Sequence, residues 1–566
     1  MTGAGLGSGE GPGLRCRWLG RVRFADAEAL QRGLVTHGRH PYLLLLEHPH
    51  TFSLGLRGRP EHVLVDPAEV GAELVRTNRG GEVTYHGPGQ LVGYPILSWP
   101  DAPGATPAYV HSVEQVVIDA VADLGIPGLG RIPGLPGVWA DPEGSDPRKV
   151  CAVGVRRTRG RTMHGFALNV DADLSWFRRI VPCGIRDKGV TSLAAEGLEV
   201  AMADVVSAVV ERAAAAWGGG RSTRADAARG GGRPARAGGP SGPGTEAGPT
   251  TGAAPPTAEG LTIQARKPAW LRAPARMDAA YRELRSMMRS LELVTVCEEA
   301  GCPNIFECWG QGTATFMLGG SRCTRACGFC LVDTRRPGPP DAAEPERVAD
   351  AAARLGLDHA VVTAVARDDL PDGGAGAFAA TVGAIRARRP GTTVEVLIPD
   401  CKGRPEALEA IFAARPDVLN HNLETVARLQ RRVRPQASYA RSLAVLARAD
   451  AAGLVTKSGL MVGLGETFEE VTEAMADLAS VGVRIVTVGQ YLRPSSDHLP
   501  VARWWEPSEF DALAAAGRRL GLAHVEASPL TRSSYHAAAA ANAAGAAAAA
   551  NAAGAAAAAN AAGAEP

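Results

Sequence analysis

Six of the ten cysteines fall between residues 297 and 330, and no other stretch restricts the chain so tightly. They form two triplets: Cys297, Cys302 and Cys308, spaced C-x4-C-x5-C, and Cys323, Cys327 and Cys330, spaced C-x3-C-x2-C. Thiolates are soft ligands that favour zinc, copper(I) or iron–sulfur clusters. A structural zinc site usually shows four ligands in two close pairs, and neither triplet has a fourth ligand nearby. A cubane has four iron corners, normally all held by Cys, so a triplet leaves one iron open to a substrate or cofactor. A disulfide knot is the other reading, but nothing in the sequence suggests export to an oxidising compartment.

The C-x3-C-x2-C triplet resembles that of radical S-adenosylmethionine (SAM) enzymes, and the doubled triplet resembles lipoyl synthase. The resemblance runs from Arg266 to His536, through RKPAWL, VRPQASYARSL, TKSGLMVGLGET and GQYLRPSSDHLPV. It implies two [4Fe–4S] clusters. One, on Cys323, Cys327 and Cys330, would bind SAM at its open iron and cleave it to a 5′-deoxyadenosyl radical. The auxiliary cluster would sit on Cys297, Cys302 and Cys308, with Ser534 of the RSSY motif as its fourth ligand. Taken alone, RSSY reads as a surface turn. A serine oxygen is a hard donor on an iron that prefers sulfur, which suits a cluster dismantled to donate sulfur. The departures are Ala364 and Ala366, where polar residues are expected, and Cys401 in place of a Phe.

Around this stretch, strand-like runs at Ala360–Ala364, Val394–Ile398, Val418–Asn422, Thr456–Val462 and Ile485–Gln490 alternate with helical segments. That pattern predicts a parallel sheet and a partial (β/α)6 barrel. Polar groups follow several runs: Arg367 to Gly374, Asn420 to Glu424 and Gly463 to Glu466. Barrel enzymes place their sites at such strand ends.

The 566 residues suffice for several domains, and two segments lack the makings of a core. Residues 218–260, rich in Gly, Ala, Pro and Arg, read as a flexible linker. Residues 537–566 repeat Ala, Gly and Asn in a nine-residue period and read as a disordered tail. The folded units expected are 1–217 and 261–536, both α/β. A net charge of +1 gives no electrostatic case for nucleic acid or an acidic membrane. No apolar run approaches the ~20 residues that span a bilayer. The Gly-rich opening carries no leader pattern, and oxygen-sensitive clusters suit a reducing cytoplasm.

The first unit mixes strand-like runs (Tyr42–Leu46, Leu91–Leu97, Val150–Val155) with a helical pattern over Ala108–Leu124. Three places carry candidate chemistry. In Arg79, Gly80, Gly81, Glu82, Val83, Thr84, Tyr85 and His86, the paired glycines allow close approach to a ligand, and Arg79, Tyr85 and His86 could anchor it. On the predicted strand at Arg148–Gly154, Lys149 and Cys151 share a face. In VPCGI, a small residue follows Cys183. Each has an ordinary structural reading: a turn, an accidental pairing, a buried cysteine.

The motifs RGGEVTYHGPGQLVGYPI, RKVCAVGVR, MHGFALNV and VPCGI occur in an order that resembles octanoyl-(acyl carrier protein):protein octanoyltransferases, over most of residues 15–215. That family has a biotin/lipoate-ligase-like fold. The resemblance implies Cys183 as nucleophile and Lys149 as its activator, which agrees with the lowering of a thiol pKa by a nearby ammonium. The backbone of Arg79–His86, Ala152, Val153, Gly154, Gly165, Phe166 and Ala167 would surround the acyl chain. Cys151 is the rival nucleophile, and Cys16 reads as structural.

The resemblances together imply a fusion of two steps in building the lipoyl group. The expected partners are octanoyl-acyl carrier protein, lipoyl domains of 2-oxoacid dehydrogenase E2 subunits, the glycine-cleavage H protein, and an electron donor such as ferredoxin or flavodoxin. A lipoate or biotin ligase remains an alternative for the first half, although no phosphate-binding Gly-Lys loop is evident. A catalytically decayed iron–sulfur sensor or scaffold is the non-enzymatic alternative.

Overall fold

The computed structural model describes residues 13–181, 188–226, 267–272, 277–310 and 315–544. In the first unit the strands are β1 (Leu14–Arg21), β2 (Tyr42–Glu47), β3 (Thr51–Leu54), β4 (Glu73–Arg76), β5 (Val83–His86), β6 (Gln90–Ile96), β7 (Gly130–Ile132), β8 (Leu135–Ala140), β9 (Arg148–Thr158), β10 (Arg161–Asn169), β11 (Gly189–Val190) and β12 (Ser222–Asp226). The large sheet has the order β12-β1-β2-β6-β10-β9-β8-β7, with β11 on β9, and a small sheet has the order β4-β3-β5. The expected helix spans Ala105–Asp123. Its buried stripe is Tyr109, Val113, Val116, Val117, Ala120 and Val121, which covers one face of the large sheet. Helix Met202–Trp217 covers the same face through Val205, Val206, Val209 and Ala213.

The second unit carries β13 (Thr315–Leu318), β14 (His359–Ala364), β15 (Thr393–Leu397), β16 (Val418–Asn420), β17 (Val455–Val462), β18 (Ile485–Gln490) and β19 (His524–Ala527). They pair in sequence order, every pair parallel. β13 and β19 are the ends of this path, so the barrel is open on one side. The five strands read from the sequence appear within about two residues of their expected bounds. Inside the barrel, Lys457 Nζ donates to both Glu395 oxygens at 3.0 Å, with both side chains fully buried.

Two expectations change. Residues 222–226, read as linker, form β12, a parallel edge strand whose register runs Leu14↔Ser222 to Trp18↔Asp226. An edge strand needs only backbone groups to pair, which a polar composition does not disclose. The disordered tail was expected from residue 537, yet 537–544 are helical. Ala540 and Ala544 pack on Val418 and Ile485, at the N-terminal ends of β16 and β18. Alanine propensity for helix is realised here because the barrel floor buries one face. Residues 545–566, and most of the expected linker, lie outside the described residues.

The two units share a hydrophobic core. Helix Phe24–His37 of the first packs on helix Tyr439–Ala451 of the second. Leu30 and Leu34 are buried in one cluster with Leu443, Ala447, Leu478 and Val481. A Cβ at Gly33 would lie 3.1 Å from Ala447 Cβ, so this glycine permits the close helix approach. Each leucine contributes about 1.5–3 kcal/mol by burial. Polar links flank the core: His37 Nε2 lies 2.6 Å from Asp450, and Arg17 forms a buried ion pair with Asp477.

Candidate active sites

At the C-terminal ends of the barrel strands lies a cavity of about 370 Å³ lined by Cys323, Cys327, Cys330, Cys297, Cys302 and Ser534. The loop after β13 presents the C-x3-C-x2-C triplet. Cys323 Sγ accepts backbone N–H groups from Arg325 at 3.4 Å and Ala366 at 3.3 Å. The loop is clamped from behind: Gly328 N donates to Val433 O at 2.9 Å, and His498 Nε2 lies 2.9 Å from Cys330 O. The Ala366 departure leaves the loop's anchorage intact, because Ala366 holds Cys323 and Thr324 through its backbone.

Cys297 opens a short helix capped by the Thr295 side chain. Two contacts draw the C-terminal segment over this triplet: Asn304 Nδ2 donates to Leu530 O at 2.8 Å, and Tyr535 donates to Glu307 at 3.1 Å. Ser534 thereby comes to the same cavity as Cys297 and Cys302.

Burial, followed by the neighbouring thiols, pushes Cys308 and Cys330 each up to about 12. Thiols so placed are poor as bare thiolates, whereas coordination by a metal centre deprotonates them outright. Among the described residues no three His, Cys, Asp or Glu converge as ligands of a single metal ion. Thiolates are the donors that iron–sulfur clusters favour, and the ligands of a cubane sit at separate iron corners. The donor set therefore suits iron–sulfur clusters.

Sequence reading missed Arg325 and Gln436 here. Arg325, between two cysteines, pairs with Asp368 at 2.8 Å and with Asp400 at 2.6 Å. Gln436 accepts the Ala326 N–H at 3.0 Å. Glu424, left-handed at φ 68°, accepts from Asn422 at 3.1 Å, and burial raises its pKa. Of the polar groups expected at strand ends, Asn422 and Glu424 line the cavity. Glu466 instead caps the Leu464 N–H at 3.0 Å and accepts from Trp505.

In the first unit, Lys149 lies on β9, with Nζ donating to Pro136 O at 3.1 Å and 4.5 Å from the Trp139 ring centre. Cys183 lies outside the described residues. The chain around it leaves from Val181, whose N–H bonds His62 O, and returns as β11, where Val190 pairs with Lys149 itself. Cys151 is fully buried in the core, and burial raises its pKa strongly. Cys16 is also buried, its thiol pushed up to about 12.

The loop at Arg79–Glu82 faces β9 closely. Gly80 N donates to Val155 O, and a Cβ at Gly154 would lie 3.0 Å from Gly80 O. The Arg79 guanidinium donates to Ser53 O at 2.7 Å and Glu82 O at 2.8 Å, holding the loop shut. Val83, Thr84, Tyr85 and His86 form β5. The Tyr85 ring stacks on Trp176, turned into the small-sheet core. Ala152, Val153 and Gly154 pair across β9–β10 with Ala167, Phe166 and Gly165.

Three buried histidines flank this region. His48 bonds Val22 O and Tyr94, His86 bonds Gln90 and Ser53, and His164, left-handed at φ 57°, bonds Asn78. Burial lowers all three, His48 to about 4 and His164 to about 3. Above pH ~6.5 neither folded nor unfolded chain protonates them. As the pH falls further, the unfolded chain takes up protons that the fold refuses, so stability is lost from pH ~6.5 down to about pH 4. Each histidine contributes a slope of about 1.4 kcal/mol per pH unit, hence about 4 for the three. Urea titrations at pH 7, 6 and 5 check this. Equal midpoints at pH 7 and 5 would show these histidines to be charged in the fold.

Residues 22–214 match the family model described as "Lipoyl protein ligase A/B catalytic domain", and residues 317–478 match the "Radical SAM superfamily". The lipoyl synthase of Rubrobacter xylanophilus is 56% identical over 273 residues, 48% of this chain and 85% of that protein. The lipoyl synthase of Mycobacterium avium is 56% identical over 272 residues, 48% of this chain and 89% of that one. A crystal structure of lipoate-protein ligase A bound with ATP aligns at TM-score 0.32 and 17% identity, over 36% of this chain and 85% of the other. Among the described residues no helix is long and apolar enough to cross a membrane. The radical SAM family implies a [4Fe–4S] cluster and SAM. With five of the six cysteines of the two triplets lining one barrel-mouth cavity, the chain belongs to the lipoyl synthase family, its sulfur-inserting domain fused behind a lipoyl ligase/transferase-type catalytic domain.

Proposed function

We propose that the chain performs two consecutive steps on one carrier protein. The first unit transfers octanoate from acyl carrier protein to a lysine of a lipoyl domain or of the glycine-cleavage H protein, through a thioester on Cys183. The second inserts two sulfurs, at C6 and C8. The observation supporting the first step is the pairing of Val190 on β11, seven residues after Cys183 in sequence, with Lys149. An ammonium there stabilises a thiolate, and a thioester divides acyl transfer into two easier steps. Lys149 then exchanges the proton with the incoming amine. The burial of Cys151 supports Cys183 over its rival.

For the second step we assign Cys323, Cys327 and Cys330 to the SAM-binding cluster. Cys297, Cys302, Cys308 and Ser534 are assigned to an auxiliary one. With its cluster and SAM bound, the first site would supply the radical that removes hydrogen, and the auxiliary site would supply sulfur. The chain's own residues orient and enclose the reactants: the N–H groups of Arg325 and Ala366 steady Cys323, and the segment from Leu530 to Tyr535 covers the other triplet. A reductant such as ferredoxin or flavodoxin completes the partners.

The test is octanoyl transfer by the full chain without ATP, followed by intact mass. A hydroxylamine-sensitive adduct on Cys183 is expected, and Lys149→Ala should slow turnover by about 10²–10⁴-fold. Transfer that demands ATP would replace this reading by a ligase. Full activity in Cys183→Ala would remove the nucleophile.

A further inference from the structure

The cluster loop is joined to the transferase unit by a continuous run of charges. Arg325, inside the C-x3-C-x2-C loop, holds Asp400 Oδ1 at 2.6 Å. The other oxygen of Asp400 accepts from Arg441 at 3.4 Å. Arg441 Nε lies 3.6 Å from Asp26 Oδ2, and Asp26 Oδ1 accepts from Arg448 at 2.9 Å. Asp26 belongs to helix Phe24–His37, on the transferase side, more than 400 residues away in sequence from its two arginines. The carboxylates and Arg325 are shielded, with the Asp26 side chain 2% exposed, Asp400 0% and Arg325 6%, while Arg441 and Arg448 are 23% and 17% exposed. Low-dielectric surroundings strengthen such couplings.

The backbone is shaped for the same contact. Gly403, at φ +68°, closes the turn after Asp400, and a Cβ there would lie 3.1 and 3.2 Å from the two Asp26 oxygens. Arg23 bonds the neighbouring Lys402 O at 3.5 Å, and Arg448 bonds Gly403 O at 3.3 Å. The loop carrying Asp400 thus rests on the transferase helix.

We propose that Asp26 is a positioning residue for the radical SAM site, acting through Arg441 and Asp400 on Arg325 and the cluster loop. Asp26 divides the pull of Arg441, leaving Asp400 free to hold Arg325. Without that carboxylate, Arg441 and Arg448 are left as adjacent cations with one fewer counter-charge. Arg441 then turns fully on Asp400 and competes with Arg325. The transferase unit is therefore a structural component of the sulfur-insertion site. The proposal rests on the assignment of the Cys323 triplet made above.

The test uses the full chain and the variants Asp26→Asn, Arg441→Gln, their double and His37→Ala. His37→Ala removes the bond to Asp450 on the same interface but outside the run. Amide exchange of residues 323–330 is measured in metal-free protein, so it reads the run whether or not the triplet binds a cluster. Asp26→Asn should accelerate that exchange about tenfold, within the range of intersite coupling. His37→Ala should leave it unchanged, and the double variant should add nothing to Arg441→Gln. In reconstituted protein, Asp26→Asn should raise KM for SAM about tenfold with kcat within about twofold. Equal acceleration in His37→Ala would reduce the effect to loosened docking. Unaltered exchange and KM in Asp26→Asn would overturn the proposal. Altered exchange, with no SAM-dependent activity in any chain including the parent, would instead fault the cluster assignment.

Discussion

Cys323→Ala abolishes SAM cleavage, whereas Cys297→Ala retains cleavage and loses sulfur insertion: this is the expected outcome of the two-triplet arrangement. Five of the six triplet cysteines line one cavity, but the triplets hang from different elements. Cys323 is set by backbone donors from its own loop and from the β14 end, Cys297 by a capped helix before β13. Loss of one leaves the other's scaffold standing. The iron corners of a cubane are normally each held by Cys, so a triplet that loses one thiolate should no longer retain its cluster. Each variant should therefore fall from about eight to about four irons per chain. Release of 5′-deoxyadenosine, thiolation of an octanoylated peptide and iron content together check this. Both variants losing one and the same activity would contradict the division of labour.

Lys457 and Glu395 show where sequence reading stops. The barrel was legible because its strands are apolar runs of the right length, and β14 to β18 lie close to where those runs predict. The cysteine triplets stood out because their members follow one another closely along the chain. Lys457 and Glu395 sit on strands and look like surface charges, yet they neutralise each other in the barrel interior. Arg325 likewise gives no sign of its role until Asp368 and Asp400 arrive from two other strand ends. The helix at 537–544 was misread for a related reason. An all-alanine face has no apolar–polar pattern, and its burial is decided by Val418 and Ile485, over fifty residues away. The contact between the units lay furthest from view, since each of its ion pairs joins residues more than 400 positions apart.

Asp477→Ala should undo that contact. Asp477 accepts Arg17 Nε at 2.8 Å and Nη2 at 2.9 Å, the Tyr42 hydroxyl at 3.1 Å and the Tyr439 hydroxyl at 2.9 Å. Arg17 also pairs with Glu473, but Glu473 is partly exposed, while the Arg17 and Asp477 side chains are 2% and 3% exposed. Burial, then Asp477, pushes Tyr42 up to about 12, so its hydroxyl stays a donor. Truncation would leave a buried guanidinium short of its main counter-charge and the Tyr439 phenol without its acceptor, with Tyr42 left to Ser480 at 3.0 Å. Removing one partner of a buried pair costs about 3–5 kcal/mol, whereas replacing both by apolar residues costs far less. Asp477→Ala should therefore separate one cooperative melting transition into two. Arg17→Met with Asp477→Leu should restore a single transition. If Asp477→Ala melts as the parent does, the apolar core around Leu30 and Leu34 alone holds the units together. With the units apart, Asp26 no longer reaches Arg441, so Asp477→Ala should reproduce the exchange and KM effects of Asp26→Asn from a site outside that run of charges.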